Sequence, residues 1–148
     1  MRAVVALAVV VAACGTSVDP AGLPSIDGYK TWAVLERDGD VPGHGATFRL
    51  IYVNPIGRGY PHGGSIPIGA VAVKEVYGDM SHTDLHAIEI QRYVGDDANV
   101  DAPVDGGWVF TSKNTADDGE TYHGTCWACH RQAPYAGAFV DLAEPVQP

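Results

Sequence analysis

Basic side chains are scarce in this sequence of 148 residues. Lysine and arginine together number 9 against 18 aspartates and glutamates, which gives a formal net charge of −9. Binding to a phosphate backbone needs clustered lysine and arginine, and the sequence contains no basic stripe. Nucleic acid is therefore excluded as a partner. The acidic residues are scattered along the chain, which is typical of a solvated protein surface.

Long apolar runs are also lacking. The N-terminal run, residues 3–11, is shorter than the roughly 20 residues that a membrane-spanning helix needs. It follows a positive charge and leads into Val-Ala-Ala-Cys at 11–14, which is the layout of a bacterial lipoprotein signal. We expect residues 1–13 to be removed and Cys14 to carry lipid; the alternative is an ordinary signal peptide with an incidental cysteine. No aspartate follows Cys14, so the lipoprotein hypothesis predicts an exported protein on the periplasmic side, held to the outer membrane by its lipid anchor alone.

Cysteine is rare, with three in the chain. If Cys14 carries lipid, only Cys126 and Cys129 remain, in the motif Cys-x-x-Cys-His that ends at His130. A disulfide across so short a loop would constrain the unfolded chain little. A thioredoxin-like redox pair normally follows an early strand. A zinc site that recruits His123 would require adjacent Cys129 and His130 to reach one ion.

The same motif is the attachment signature of c-type haem. Two thiols at this spacing bind one edge of the haem, and the histidine that follows ligates the iron. Export is consistent with this chemistry, because such haems are attached outside the bacterial cytoplasm. The sequence favours one covalent haem c on Cys126 and Cys129 with His130 as proximal iron ligand. The redox pair and the zinc site stay as alternatives.

The segment after the motif lacks a second iron ligand. The 18 residues that follow His130 contain no methionine, histidine or lysine. Small helical electron-transfer cytochromes usually carry the motif early and supply a methionine after it, so that plan does not fit. Any sixth ligand must therefore come from upstream of the motif. Upstream candidates for a sixth ligand, mostly in predicted loops, are His44, His62, His82, His86, His123 and Met80.

Alternating patterns rich in β-forming residues predict four strands. They cover residues 46–54, 68–77, 85–94 and 107–113. Tyr29, Trp32, Ala33 and Glu36 recur at helical spacing and predict a short helix capped by Ser25 or Asp27. Residues 55–67, rich in glycine and proline, predict a long loop.

The predicted fold class is α+β: mainly an antiparallel β-sheet, with a short N-terminal helix and a C-terminal haem-binding helix. The expected organisation places a tether at 14–24, rich in glycine and proline. One domain at 25–142 follows, and then a tail at 143–148.

The ordered set of motifs resembles the cytochrome P-460 family and its relative cytochrome c′-beta. The matching stretches are YKTWAVLE, HGATFRLIYVNP, IPIGAVAVKEVYGD, GGWVF and CWACHRQ, within residues 28–142. The resemblance implies a β-rich fold around one haem, often as a homodimer. It also implies five-coordinate iron, with His130 as proximal ligand and an open, apolar distal side. Members oxidise hydroxylamine or bind and process nitric oxide, and pass electrons to a redox partner protein.

One departure from the family pattern concerns lysine. In hydroxylamine-oxidising members a lysine cross-links to the haem edge, and the resemblance implies that it follows the Asn-Pro strand end. Residues 54–64 contain no lysine, and the whole chain has only Lys30, Lys74 and Lys113. Lys74, in the Lys-Glu strand, is not equated with the cross-linking position. We expect a haem without that bond, closer to the c′-beta type, and whether the protein is an enzyme stays open.

Two charged residues are candidates for the site. Arg49 lies inside an apolar strand, where it would bind a haem propionate or, alternatively, pair with a carboxylate at the surface. Glu120 lies six residues before Cys126 in a segment rich in acidic residues. It would act as general base for hydroxylamine oxidation, since active family members use a carboxylate shortly before the motif. The alternative is an ordinary acidic turn.

Overall fold

The computed structural model describes residues 17–18, 22–41, 44–60, 64–96 and 100–143. The predicted signal peptide, Cys14, most of the tether, His62 and residues 144–148 lie outside the described residues.

The described chain is built on one antiparallel sheet of seven strands in the order β1-β7-β6-β5-β4-β3-β2. The strands are β1 (Ser17–Val18), β2 (Ala33–Val41), β3 (Gly45–Val53), β4 (Val71–Tyr77), β5 (Leu85–Tyr93), β6 (Trp108–Lys113) and β7 (Glu120–Tyr122). The helices are a 3₁₀ turn (Tyr29–Thr31), α1 (Pro55–Arg58) and α2 (Cys126–His130). Among the described residues, no helix is long and apolar enough to cross a membrane.

The mainly antiparallel β fold is therefore confirmed. Strands β3, β5 and β6 lie where alternation placed them, and β4 begins at Val71 instead of residue 68. This agreement has a simple cause: alternate side chains of each strand are buried on opposite faces of the sheet.

The predicted N-terminal helix is wrong beyond its first turn. Only Tyr29–Thr31 is helical, and Ala33 and Glu36 belong to strand β2. This strand pairs along its whole length with β3, so Ala33 lies opposite Val53 and Glu36 opposite Leu50. Cross-strand hydrogen bonds and burial of alternate side chains outweighed a helical spacing that extends over only two turns.

Two segments expected to be loops contain short elements. Helix α1 begins at Pro55, a position where the backbone N–H that proline lacks would have no partner within the helix. The Asn54 side chain caps the helix by accepting from the Gly57 N–H at 2.8 Å. The acidic segment before the haem motif contains strand β7, which pairs with β6 on one side and β1 on the other.

The sheet has two covered faces. We call the face under the C-terminal segment the front face; its core includes Leu35, Ile51, Ala72, Trp108 and Phe110, packed with Ala138 and Leu142. The back face packs Tyr52, Val71, Val73, Ile88 and Ile90 against Tyr29. Strand alternation thus decides which polar side chains share a face with the Cys-x-x-Cys-His motif.

Candidate functional site

Helix α2 holds the two motif cysteines. Cys126 and Cys129 are both free thiols; Cys126 is half-buried and Cys129 is exposed. Residues three apart lie on the same side of a helix, so one turn presents both thiols together. Burial raises the pKa of the Cys126 thiol.

The imidazole of His130 is fixed in one orientation. Its Nδ1 lies 2.8 Å from the carbonyl oxygen of Gly137, and its ring packs against Phe110 and Phe139 with centroids 4.9 and 5.0 Å apart. A carbonyl only accepts, so Nδ1 carries the proton. Burial lowers the pKa of His130. A neutral ring with Nδ1–H bonded leaves the Nε2 lone pair for a metal, as in other histidine-ligated sites.

A tight turn supplies the carbonyl that orients His130. Tyr135 and Ala138 exchange backbone hydrogen bonds of 3.2 and 3.0 Å, and the two residues between them have positive φ, 49° at Ala136 and 100° at Gly137. The left-handed region disfavours alanine, and here the Trp108 indole N–H holds Ala136 by donating to its carbonyl at 2.8 Å. A Cβ at Gly137 would lie 2.4 Å from Trp108 Nε1, so only glycine fits there.

A cavity of about 440 Å³ lies between the front face and the C-terminal segment. Its volume is within the range of about 300–1,000 Å³ typical of small-molecule and cofactor sites. The lining includes Arg37, Asp38, His44, Arg49, Ile51, Ala72, Lys74, Ala87, Glu89, Ile90, Gln91, Phe110, Thr111, Ser112, His123, Cys126, His130, Phe139 and Val140. A motif thiol and the motif histidine therefore open onto one chamber.

Part of the cavity wall is ionic. Lys74 lies opposite Glu89 across β4 and β5, and the Lys74 ammonium forms an ion pair with the Glu89 carboxylate. His44 Nδ1 lies 3.3 Å from Glu89 Oε1 and 3.4 Å from Lys74 Nζ. Burial would raise the pKa of Glu89, but the His44 hydrogen bond and the Lys74 charge outweigh it and lower that pKa to about 2. The cavity therefore combines apolar side chains with an ionic cluster on one wall.

Arg49 lies at the cavity and is not a surface residue. It is 3% exposed and lines the cavity. Its guanidinium donates to the backbone carbonyls of Arg37 at 3.3 Å and Gly39 at 2.7 Å. These bonds use two of its five N–H groups. A buried cation at a cavity wall suits a carboxylate-bearing cofactor.

Glu120 lies on the back face, turned away from the cavity. Its carboxylate accepts two hydrogen bonds of 2.7 Å from Arg92 and one of 2.6 Å from Thr111. Arg92 follows Gln91, which contacts His130 on the front face, so Arg92 points to the opposite side. Burial acts to raise the pKa of Glu120, yet Arg92 and Thr111 hold it below its usual range. Glu120 is not among the residues that line the cavity.

Of the five candidate sixth ligands that the structure describes, two line the cavity and three do not. His44 and His123 line the cavity. His82 packs its ring against Tyr77, His86 pairs with Asp84 at 3.0 Å, and Met80 is 74% exposed; none of these three lines the cavity.

Sequence reasoning missed Lys74, Glu89 and Gln91 as cavity residues. Gln91 donates to the Gly137 carbonyl at 3.1 Å and so braces the group that orients His130. The available signal was alternation: Glu89 lies between buried Ile88 and Ile90, and Lys74 and Gln91 each follow a buried apolar residue of β4 or β5. Their meeting on one face follows only from strand register.

These residues fit a covalent haem. The oriented His130 shares a cavity of about 440 Å³ with Cys126 and the buried Arg49, and Cys129 is an exposed free thiol on the same helix. A search of curated proteins returns no match. The sequence profile of the family described as Cytochrome P460 matches residues 26–137, which is most of the chain. The protein therefore belongs to the Cytochrome P460 family, whose members are c-type haem cytochromes.

Proposed function

We propose that this protein is an exported cytochrome with one covalent haem c, whose iron binds or acts on small nitrogen compounds such as hydroxylamine or nitric oxide. The observation that carries the proposal is the neutral His130 imidazole, oriented by the Gly137 carbonyl at the wall of a cavity of about 440 Å³. When bound, the haem supplies an iron that accepts a small ligand and exchanges single electrons.

The chain's own residues would divide the work of holding the cofactor. Cys126 and Cys129 would form the two thioether links, and His130 Nε2 would ligate the iron. Arg49, buried and with donors to spare, would bind a propionate. The Gly137 carbonyl, which also accepts from Gln91, keeps the imidazole in the tautomer that ligation would need.

The ionic wall favours a polar substrate over an apolar gas. Hydroxylamine has N–H and O–H groups that a carboxylate accepts, whereas nitric oxide has none. Glu89, whose pKa is lowered to about 2, is ionised at neutral pH and so is always an acceptor. Nitric oxide has no hydrogen for this carboxylate to accept, so Glu89 would contribute no hydrogen bond to its binding.

The position of Lys74 bears on the expectation that the haem has no cross-link to a lysine. Residues 54–64 lack a lysine, yet Lys74 lines the same cavity as His130. Its ammonium is paired with Glu89. This placement supports the hydroxylamine-oxidising type, because a lysine stands within the chamber that would hold the haem.

The second candidate is a haem protein that binds gas or relays electrons without catalysis. Two observations favour it. The Lys74 ammonium is engaged in an ion pair and is therefore not a nucleophile, and His44, a candidate sixth ligand, lines the cavity. The ferrous optical spectrum separates the candidates. A strongly red-shifted Soret band that Lys74→Met returns to the ordinary c-type position supports the first. A low-spin spectrum that His44→Ala converts to high spin supports electron transfer.

Haem attachment is tested first. Protein matured with a c-type assembly system should retain haem stain on a denaturing gel, and Cys126→Ala with Cys129→Ala should lose it. Cys14→Ala is the matched control, because it removes a cysteine outside the motif. Stain that persists without Cys126 and Cys129, or is absent from the wild type, would overturn the proposal.

The exported, lipid-anchored state is proposed on the N-terminal sequence, and the homodimer and the redox partner protein on the family resemblance. Mass spectrometry of the mature N-terminus should find a lipidated Cys14. Sedimentation of the soluble domain should give twice the monomer mass. An unmodified N-terminus elsewhere would remove the lipid anchor, and a monomer would remove the dimer.

A further inference from the structure

A serine–histidine pair joins the cavity to the protein surface. Ser112 Oγ lies 2.7 Å from His123 Nε2, and both residues line the cavity. Ser112 is half-buried and His123 is exposed. The pair therefore has one member toward the chamber and the other toward solvent.

The fold holds this pair in place through strand β7. Ser112 lies opposite Thr121 in the β6–β7 ladder, and the His123 N–H continues that pairing by donating to the Phe110 carbonyl at 3.1 Å. Phe110 in turn packs against His130. Both side chains are thus positioned by pairing with or within β6, the strand whose Phe110 packs against the motif histidine.

A fixed negative charge adjoins the inner end of the pair. Glu89 lies directly opposite Ser112 across β5 and β6, where facing side chains are about 5 Å apart at Cβ. Lys74 and His44 hold the Glu89 carboxylate. An ionised carboxylate here stabilises positive charge on a proton that moves through the neighbouring hydroxyl.

We propose that Ser112 and His123 form the proton outlet of the cavity, which carries a proton from a bound ligand to solvent. The inference rests on the proposed function, since it assumes that a ligand with N–H, O–H or another acidic hydrogen binds in the chamber. Ser112 Oγ accepts the ligand's proton, directly or through one water, while the hydroxyl proton passes to His123 Nε2. The ligand loses one proton and His123 gains one, which it then gives to solvent.

The side chains have the required chemistry. A hydroxyl donates and accepts at the same time, and imidazole is the usual proton shuttle near neutral pH. Glu89 is the positioning residue of this route and not its base, because it binds protons weakly while Lys74 and His44 remain attached.

The test compares two ligands of the haem-loaded protein by stopped-flow absorbance. Hydrogen cyanide must lose a proton to bind ferric haem as the anion, whereas nitric oxide binds ferrous haem without proton transfer. Ser112→Ala and His123→Ala should each slow cyanide association at least tenfold, in line with the usual contribution of positioned proton transfer. Nitric oxide association should stay within twofold of the wild type.

Matched variants separate proton transfer from packing. Ser112→Thr keeps the hydroxyl and should keep the cyanide rate, and His86→Ala removes an exposed histidine that does not line the cavity. Added imidazole should restore the rate of His123→Ala. Should His123→Ala fail to retain haem, Ser112→Ala against Ser112→Thr carries the test.

Two results would overturn the outlet. Cyanide association unchanged in both alanine variants would show that protons leave by another route. Equal slowing of cyanide and nitric oxide, without rescue by imidazole, would show a steric role alone. Loss of haem or of nitric oxide binding in the wild type would instead refute the proposed function, so the two failures are distinguishable.

Discussion

Replacing Glu120 by glutamine should destabilise the fold strongly and leave the haem spectrum and ligand binding unchanged. The Glu120 side chain is 6% exposed and its partner Arg92 is 1% exposed. Glutamine would remove the charge that faces the guanidinium but keep the shape of the side chain. Arg92 would then be a buried cation without a counter-charge.

The size of the stability loss in Glu120→Gln can be estimated from the contacts of the carboxylate. Glu120 accepts two bonds from Arg92 and one from Thr111. Removing one partner of a buried ion pair typically costs about 3–5 kcal/mol in the free energy of unfolding. At about 2–4 °C per kcal/mol for a domain of this size, the melting temperature should fall by roughly 6–20 °C.

The stabilisation that Glu120 contributes to the fold should decrease as the pH is lowered. The folded-state pKa of Glu120 is lowered relative to the unfolded chain. Its stabilisation is therefore fully present above the unfolded glutamate pKa of about 4.3, and it is lost as pH falls through the folded-state value. Glu120→Gln should flatten this acid limb of the stability curve.

The assay is chemical and thermal unfolding of wild type, Glu120→Gln and a double variant, Glu120→Leu with Arg92→Met. Apolar replacement of both charges should recover much of the lost stability, because no uncompensated charge remains. A loss below about 0.5 kcal/mol in Glu120→Gln would refute the structural role. Normal stability with slowed ligand chemistry would show instead that Glu120 acts at the cavity.

Two further predictions concern the elements that hold the site. Gly137→Ala should lose iron ligation by His130, because φ at this position is 100° and a Cβ would lie 2.4 Å from Trp108 Nε1. The loss should appear as a changed haem spectrum, and an unchanged spectrum would show that the turn does not orient His130. Gly124→Ala is the control, because a Cβ there would meet open space. Glu75→Gln should destabilise by about 2–4 kcal/mol, because the fully buried carboxylate accepts from Tyr29 at 2.5 Å and Tyr77 at 2.7 Å. The pKa of Glu75 is lowered in the folded state, so this loss should be full above the unfolded glutamate pKa of about 4.3 and disappear only as pH falls through the lowered folded-state pKa. A loss equally large in strong acid would contradict the prediction.

The sequence alone determined the spacing of the motif residues and most of the sheet. Cys126, Cys129 and His130 are adjacent in the chain, so their joint role depends on local spacing. Strands β3 to β6 were predictable because each alternates strongly between two buried faces. The family resemblance likewise came from ordered local motifs, and the profile match over residues 26–137 confirms it.

Tertiary structure alone decided which distant side chains meet. Strand β2 was mistaken for a helix because its spacing fits both periods over a short stretch, and pairing with β3 settled the outcome. Glu120 is close to the motif in sequence, but strand alternation places it with Arg92 on the back face. Lys74 and Glu89 are far apart in the chain and share the cavity because the β4–β5 register sets them opposite each other. A period of two assigns a residue to one of two faces, but only the register of neighbouring strands says what lies beside it.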